Sequence, residues 1–450
     1  MRPPVRIGTQ QPRGGALGLL PELSRDPLGL LARCARDYGD FVRLRLGLTH
    51  AVLISHPELV EQVLVTRSHD FRKNLGLRRL RSALGNGLLV SEGDVWLRQR
   101  RLMQPAFHRQ RIDGMADTMV STVSKALDGW QPGDTRDIYQ EMTAITLQIV
   151  ARTLFGTDVT QDLVCIRRSS VVMTAHLRSR LFSLMMLLPD SVPTPGNLRY
   201  AVAVRALDRL VYRLIDERRA AARDGEAGEN LLAMLLGARD DAGRGMTDRQ
   251  LRDEVLTVMS AGYDTTALAL TWAWVLLSQH SSAQARVWAE VDAVLAGRAP
   301  TAADAARLSY VEQVVAETLR LYPSAWAIGR EAAHDTHIGG QRVSKGTTVL
   351  LSPWVLHRDP RFFDEPDAFR PERWADGLAQ RLPRFAYVPF GGGQRACIGS
   401  AFAKLELRLL LAAIAQRFRV ELAEPGRPLE ARPVLTLQPR SSVLVRLWAR

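Results

Sequence analysis

The chain has 450 residues, 46% of them hydrophobic and 24% charged, which is ordinary for a globular protein and enough for a large core. Its formal charge is +13, yet the arginines are scattered among Asp and Glu with no basic tail, which speaks against a nucleic-acid binder and leaves solvated helix faces or an acidic protein partner. Three cysteines exclude a disulfide framework, and residues 267–277, the longest apolar run, are too short to cross a bilayer.

The start, Met1-Arg-Pro-Pro-Val-Arg, is polar and proline-rich and reads as neither signal peptide nor membrane anchor. With no Gly/Ser-rich linker and no internal repeat, residues 1–450 are expected to form a single large domain, mainly α with small β-sheets, its first 20 residues flexible. Residues 41–46 alternate apolar and polar and predict a half-buried strand, turned by residues 47–50 into a second strand over 51–55. His56-Pro57 opens a helix. Residues 71–95, punctuated by Gly76, Gly85, Gly87 and Gly93, are expected to be irregular. A basic helix then starts at Trp96, with Trp96 and Arg100 on one face and Arg98 and Arg101 solvated. Helical patterns cover 115–156, 171–188 and 197–222, with a proline-rich loop at 188–196 and polar loops near 223–229 and 239–245. A long helix is predicted over 246–282, with Thr247 as N-cap. Strands follow near 346–351 and 435–447, and a helix over 401–418.

The most informative run is Phe390-Gly-Gly-Gly-Gln-Arg-Ala-Cys397-Ile-Gly399. Its glycines let the backbone approach something flat and bulky. The helix that follows turns its N–H groups and positive end toward the sulfur, favouring a metal-binding thiolate. Arg395 adds a cation for a carboxylate on that flat ligand. A lone cysteine is ordinarily a buried structural thiol, the reading kept for Cys34 and Cys165.

Phe390, Gly393, Arg395, Cys397 and Gly399 together resemble the haem-binding signature of the cytochromes P450. Further motifs of that family follow the same order: Ala261-Gly262-Tyr263-Asp264-Thr265-Thr266, Glu317-Thr-Leu-Arg320 and Pro371-Glu-Arg373-Trp374. The resemblance runs over nearly the whole chain and is closest to soluble bacterial members similar to fatty-acid and terpene hydroxylases. It implies haem b as cofactor, with Cys397 as metal ligand. Trp96, Arg100, Ala261, Gly262, Arg330, Phe390, Gly391, Arg395 and Gly399 would line or hold the haem, Arg100, Arg330 and Arg395 through its propionates. Asp264 and Thr265 would deliver protons during oxygen activation. Gly262, costly inside a helix, would leave room for a small ligand. Glu317, Arg320 and Arg373 would form a buried network bracing the Cys397 segment. His357 would be structural, and His108 either packed or near the haem edge.

The implied activity is a monooxygenase acting on a hydrophobic small molecule, fatty acid or terpenoid, with O2 and electrons from a separate ferredoxin and ferredoxin reductase, in the cytoplasm. Pocket candidates are residues 75–90 and 172–187, Met259, Trp326, Ile328 and residues 435–437, with Arg78, Arg79 or Arg81 as anchors for a fatty-acid carboxylate. Two alternatives stay open: a haem-thiolate peroxygenase or isomerase that needs no external electrons, and a non-enzymatic basic binding protein.

Overall fold

The longest element is the helix Asp248–Gln279, hereafter the central helix. Thr247 and Gln250 close a capping box at its start, as the sequence predicts for Thr247. Apolar residues occupy every face beyond its first turns, so it can only be a core helix. It packs against the helices Ile138–Val150, Ser309–Leu321 and Ser400–Arg417 and carries the middle of the largest hydrophobic cluster. The computed structural model describes residues 3–8, 10–181, 192–224 and 230–450.

The main sheet has five strands in the order Phe41–Leu46, Thr49–Ile54, Thr348–Leu351, Ile328–Ala332 and Phe71–Lys73. The first two form the expected hairpin, and Thr49–Ile54 runs parallel to Thr348–Leu351. A three-stranded sheet joins Thr135–Asp137, Leu444–Ala449 and Phe418–Leu422. Near the C-terminus, Ala431–Pro433 pairs with Leu437–Pro439 in a hairpin whose turn comes back onto the central helix. Among the described residues no helix is long and apolar enough to cross a membrane.

Several boundaries differ from the sequence reading. Residues 71–95 are not irregular: they hold the strand Phe71–Lys73 and the short helices Leu75–Arg79 and Arg81–Leu84, the first capped by Asn74. The basic helix begins at Gly93, because Glu92 already adopts the extended N-cap conformation. The pattern over 115–156 breaks into Ala116–Leu127 and Ile138–Val150, since Pro132 and Gly133 (φ 92°) force a turn that feeds the strand Thr135–Asp137. The next helix starts earlier, at Leu163, and is described to Leu181; the expected continuation to 188 lies outside the described residues. Pro195 is the first residue of the helix Pro195–Arg223, where its missing N–H costs nothing. Parts of the N-terminal segment expected to be flexible make defined contacts: the Arg6 amide donates to Asp40, and His56 Nε2 meets the Pro3 carbonyl at 3.1 Å.

Gly262 is where the central helix crosses the helix Ile138–Val150. A Cβ there would stand 3.1 Å from Val150 Cγ2, so the absent side chain makes room for a neighbouring helix. This corrects the expectation that it makes room for a small ligand. Gly262→Ala is expected to destabilise the fold by about 1–2 kcal/mol through overpacking. Val150→Ala in the same chain should recover part of that loss, read from urea-unfolding midpoints.

Candidate active site

The Cys397 loop is closed by its own backbone: the Cys397 amide donates to the Phe390 carbonyl at 3.0 Å around the turn Gly393–Arg395. Gly391 and Gly393 both sit at φ 68°, where glycine carries no penalty. At Gly393 a Cβ would lie 2.0 Å from the Leu64 carbonyl oxygen, and at Gly392 2.3 Å from the Phe385 ring. These glycines therefore let the loop nest against protein. Only Gly391 and Gly399 have the looser surroundings expected of residues beside a flat ligand.

The Cys397 thiol is accessible, yet burial raises its pKa above the ordinary value. A group on a cavity wall has both properties. The Gly399 amide and Arg100 partly offset the burial. A metal cation at the sulfur would complete the change to thiolate. Cys34 is buried in the core and Cys165 half-buried.

Around the loop gathers positive charge that the protein balances only in part, through Glu92. Arg100 donates to the Ala396 carbonyl at 3.0 Å. Arg395 lies over the Trp96 ring at 4.3 Å, donates to the Ser91 carbonyl and pairs with Glu92. Arg330 is pushed down to about 10, first by burial and then by Arg395, and donates to its neighbour's carbonyl at Gly329. Lys73 is pushed down to about 7 by burial and the nearby arginines, its Nζ donating to the carbonyls of Leu88 and Ser91. Lys73 and Arg330 are direct partners across an antiparallel strand pair. Like charges in that position repel and are unfavourable without an anion between them. Glu92 is the carboxylate that acts on Arg395, Arg330 and Lys73 together. A flat group with carboxylates of its own fits this wall. Lys73 and Glu92 escaped the sequence reading, since strand register sets Lys73 beside Arg330 and the Lys73 amide in turn donates to Glu92.

On the central helix, Ala261 is exposed between the half-buried Ser260 and Gly262. Thr265 Oγ1 donates to the Ala261 carbonyl at 2.8 Å, and Ser324 Oγ donates to the Thr265 carbonyl at 2.7 Å. Asp264 turns elsewhere: Oδ1 accepts from the Tyr139 hydroxyl at 2.7 Å and Oδ2 from Thr436 Oγ1 at 2.9 Å. Burial raises its pKa and these hydroxyls lower it, with burial the larger effect. The adjacent Asp264 and Thr265 thus engage separate partners. Glu406, on the helix after Cys397, is fully buried near Thr266 and its pKa is raised well above the carboxylate range by desolvation.

Behind the loop, Glu317 and Arg320 are fully buried and meet in a two-point pair, both bonds 2.8 Å. Glu317 also accepts from Arg373 Nε, Trp374 Nε1 and the Arg370 amide, each at 2.9 Å. Arg320 donates to the carbonyls of His357 and Ala368. The Val388 amide donates to His357 Nε2 at 2.8 Å, so Nδ1 carries the proton toward the Arg320 carbonyl. The network therefore reaches the Cys397 loop through His357.

The cytochrome P450 family model matches residues 10–445. Over 418 residues the chain is 40% identical to a cyclooctatin synthase of Streptomyces melanosporofaciens, covering 92% of this chain and 90% of that protein. It is 37% identical over 426 residues to a cyclooctat-9-en-7-ol 5-monooxygenase of the same species, covering 93% and 91%. It is 35% identical over 446 residues to a pentalenene oxygenase of Streptomyces avermitilis, covering 97% of each. The chain belongs to the cytochrome P450 family. As a P450 it is a monooxygenase with haem b as cofactor. The accessible thiol and the excess of partly buried cations fit a haem and its propionates.

Other expected residues of this P450 stand apart from the cavity. Met259 is buried in the core, and Trp326 is buried with its Nε1 bonded to the Val434 carbonyl. Residues 182–187 lie outside the described residues. Arg98 is ion-paired with Asp240, and His108 is exposed.

Arg330→Met is expected to weaken haem binding at least about tenfold, the worth of a charge-assisted hydrogen bond. It should also stabilise the haem-free chain, by about 1 kcal/mol, because a like-charge contact disappears. Haem transfer to an acceptor protein and urea unfolding of the apoprotein measure the two effects. His357 gives a pH prediction. Burial and the Arg320 charge push it down to about 3 from 6.5. The unfolded chain therefore takes up the proton first. The contribution of neutral His357 is complete above about pH 6.5 and is lost as pH falls toward 3, by about 1.4 kcal/mol per pH unit. His357→Gln should flatten this acid slope in urea titrations.

Proposed function

We propose that this P450 inserts one oxygen atom from O2 into a neutral cyclic terpenoid in the cytoplasm, with electrons from a separate ferredoxin and ferredoxin reductase. The observation that carries the substrate class is the near full-length similarity to oxygenases named for pentalenene and cyclooctat-9-en-7-ol. The arginines that a fatty acid would need support the same choice. Arg78 is ion-paired with Glu331, Arg81 donates to the Val90 carbonyl, and Arg79 is engaged within the protein. A carboxylate would have to displace these contacts, whereas a neutral ring system needs only apolar lining such as the accessible Leu75 and Leu435.

In this reading Cys397 ligates the haem iron, and Arg100, Arg330, Arg395 and Lys73, with Trp96 packed on Arg395, hold the propionates. When bound, the haem supplies oxygen reduction and transfer, with electron density pushed from the thiolate. Ala261 and Thr265 face the reacting region, and the Thr265 hydroxyl holds a proton near the Ala261 carbonyl. Asp264 is the acid that replaces protons used there. The Glu317 network keeps the thiolate loop in register while charge changes at the sulfur.

Optical titration of the ferric protein tests the substrate class. A saturable low-to-high-spin Soret shift is expected with cyclic sesquiterpenes or diterpenes and none with fatty acids. The reverse pattern would move the assignment to a fatty-acid hydroxylase. Turnover with peroxide but not with a ferredoxin system would instead favour the peroxygenase alternative.

A further inference from the structure

Asp264 is held by hydroxyl groups from distant parts of the chain, and each of its oxygens is taken. Tyr139 lies in the first turn of the helix Ile138–Val150, half-buried, with Gln140 beside it exposed. Thr436 lies in the turn of the C-terminal hairpin. That turn is itself fastened to the central helix. Trp272 Nε1 donates to the Leu437 carbonyl at 3.0 Å, and the Leu437 amide donates to the Ser324 carbonyl. Ser324 in turn donates to the Thr265 carbonyl. Leu435, next to Thr436, is accessible.

Neither Asp264 oxygen points its free capacity at Thr265 Oγ1, whose own proton goes to Ala261. For Asp264 to pass a proton toward Thr265, the carboxyl must let go of one hydroxyl. The longer bond, to Thr436, sits on a hairpin turn, whereas the shorter, to Tyr139, sits on a packed helix. On the hairpin, Arg432, whose charge acts on Tyr139, also lines a solvent-open cavity of about 1120 Å³, and Tyr139 itself is half-buried beside the exposed Gln140.

We infer that Tyr139 is the proton inlet to Asp264 and that Thr436 is a latch holding the Asp264 carboxyl back from Thr265. The inference deepens the monooxygenase reading and rests on it. In the transfer, the Tyr139 O–H bond breaks as a proton moves to Asp264 Oδ1. A proton from bulk solvent, passed through a water that is itself reprotonated, re-forms the O–H, so neither tyrosinate nor hydroxide is left behind. Burial and Asp264 both disfavour a tyrosinate here, which suits a relay that never stores charge on the ring. The charged and titratable groups facing the pair are Tyr263 on the central helix and Arg432 on the hairpin. Both Tyr139 and Thr436 are positioning residues, since each acts through Asp264.

The variants Tyr139→Phe, Thr436→Val and Thr436→Ser of the haem-loaded enzyme test this. The first readout is infrared absorption of the Asp264 carboxyl in the ferric protein without substrate or reductant, identified by its loss in Asp264→Asn. Tyr139→Phe and Thr436→Val should each shift that band, and Thr436→Ser should restore it. The second readout uses the ferredoxin system and a compound that shifts the Soret band. Tyr139→Phe should slow turnover roughly tenfold and enlarge the solvent deuterium isotope effect, with Soret-shift affinity unchanged. Thr436→Val should instead raise peroxide release per electron severalfold, with Thr436→Ser near the parent. Parental turnover and isotope effect in Tyr139→Phe overturn the inlet. A Thr436→Ser enzyme that behaves like Thr436→Val, or loses haem with it, assigns Thr436 to packing and overturns the latch. A parent without a haem band defeats the P450 reading itself, while the infrared comparison still decides whether the hydroxyls clamp Asp264.

Discussion

Everything near the thiol depends on one buried carboxylate. Glu317 has no solvent contact and receives hydrogen bonds from Arg320, Arg373, Trp374 and the Arg370 backbone. A charge in that position is tolerable only because each lone pair is used, and removing one partner of such a set costs about 3–5 kcal/mol. The set links the helix Ser309–Leu321 to residues 364–374, where Arg373 also donates to the carbonyls of Asp364 and Ala368. Through Arg320 and His357 it reaches Val388, immediately before the Cys397 loop. The loop is thus tethered from behind by protein and is left with Cys397 accessible.

The front of the same loop is built on the opposite principle. There the protein concentrates positive charge and sets a single carboxylate, Glu92, against Lys73, Arg330 and Arg395. Lys73 opposite Arg330 on paired strands is a contact that folding alone disfavours. It becomes favourable when an anionic group enters, so binding and local stability are coupled. Cys397 would follow the same logic, with burial raising the thiol and a bound metal lowering it. In the proposed reading this face is completed by its cofactor, whereas the network behind it is satisfied by protein alone.

The central helix divides two tasks between adjacent residues. Thr265 folds its hydroxyl back onto Ala261, the reaction-side arrangement, while Asp264 faces Tyr139 and the C-terminal hairpin. Because the hairpin turn is bonded to both, through Thr436 to Asp264 and through Ser324 to Thr265, a pocket-lining element and the acid–alcohol pair share one support. Gly262 serves this arrangement indirectly: without its side chain, the helix that carries Tyr139 approaches closely.

Much was legible in the sequence where the signal is local. The glycine-flanked cysteine before an apolar helix, the Glu-x-x-Arg spacing and the Asp-Thr pair inside a helix each lie within a few residues. Side-chain chemistry and helical periodicity are enough to read such patterns. The same holds for the Thr247 cap and the hairpin near Phe41. The errors came where geometry outruns spacing. Gly262 and Gly392 read as room for a ligand, but what a missing Cβ faces depends on Val150 and Phe385, far away in the chain. Met259 read as pocket lining because it is apolar and near the motif, yet its helix face turns into the core.

By itself, then, the sequence determined the family and its monooxygenase class, because those are written in short motifs. Tertiary structure alone decided who surrounds them. Lys73 meets Arg330 only through strand register, and Asp264 finds Tyr139 125 residues away and Thr436 172 residues away. Such partners have no local signature. They exist because burying the apolar faces of the helices and strands brings distant polar groups together, and each buried polar group must then find a hydrogen bond.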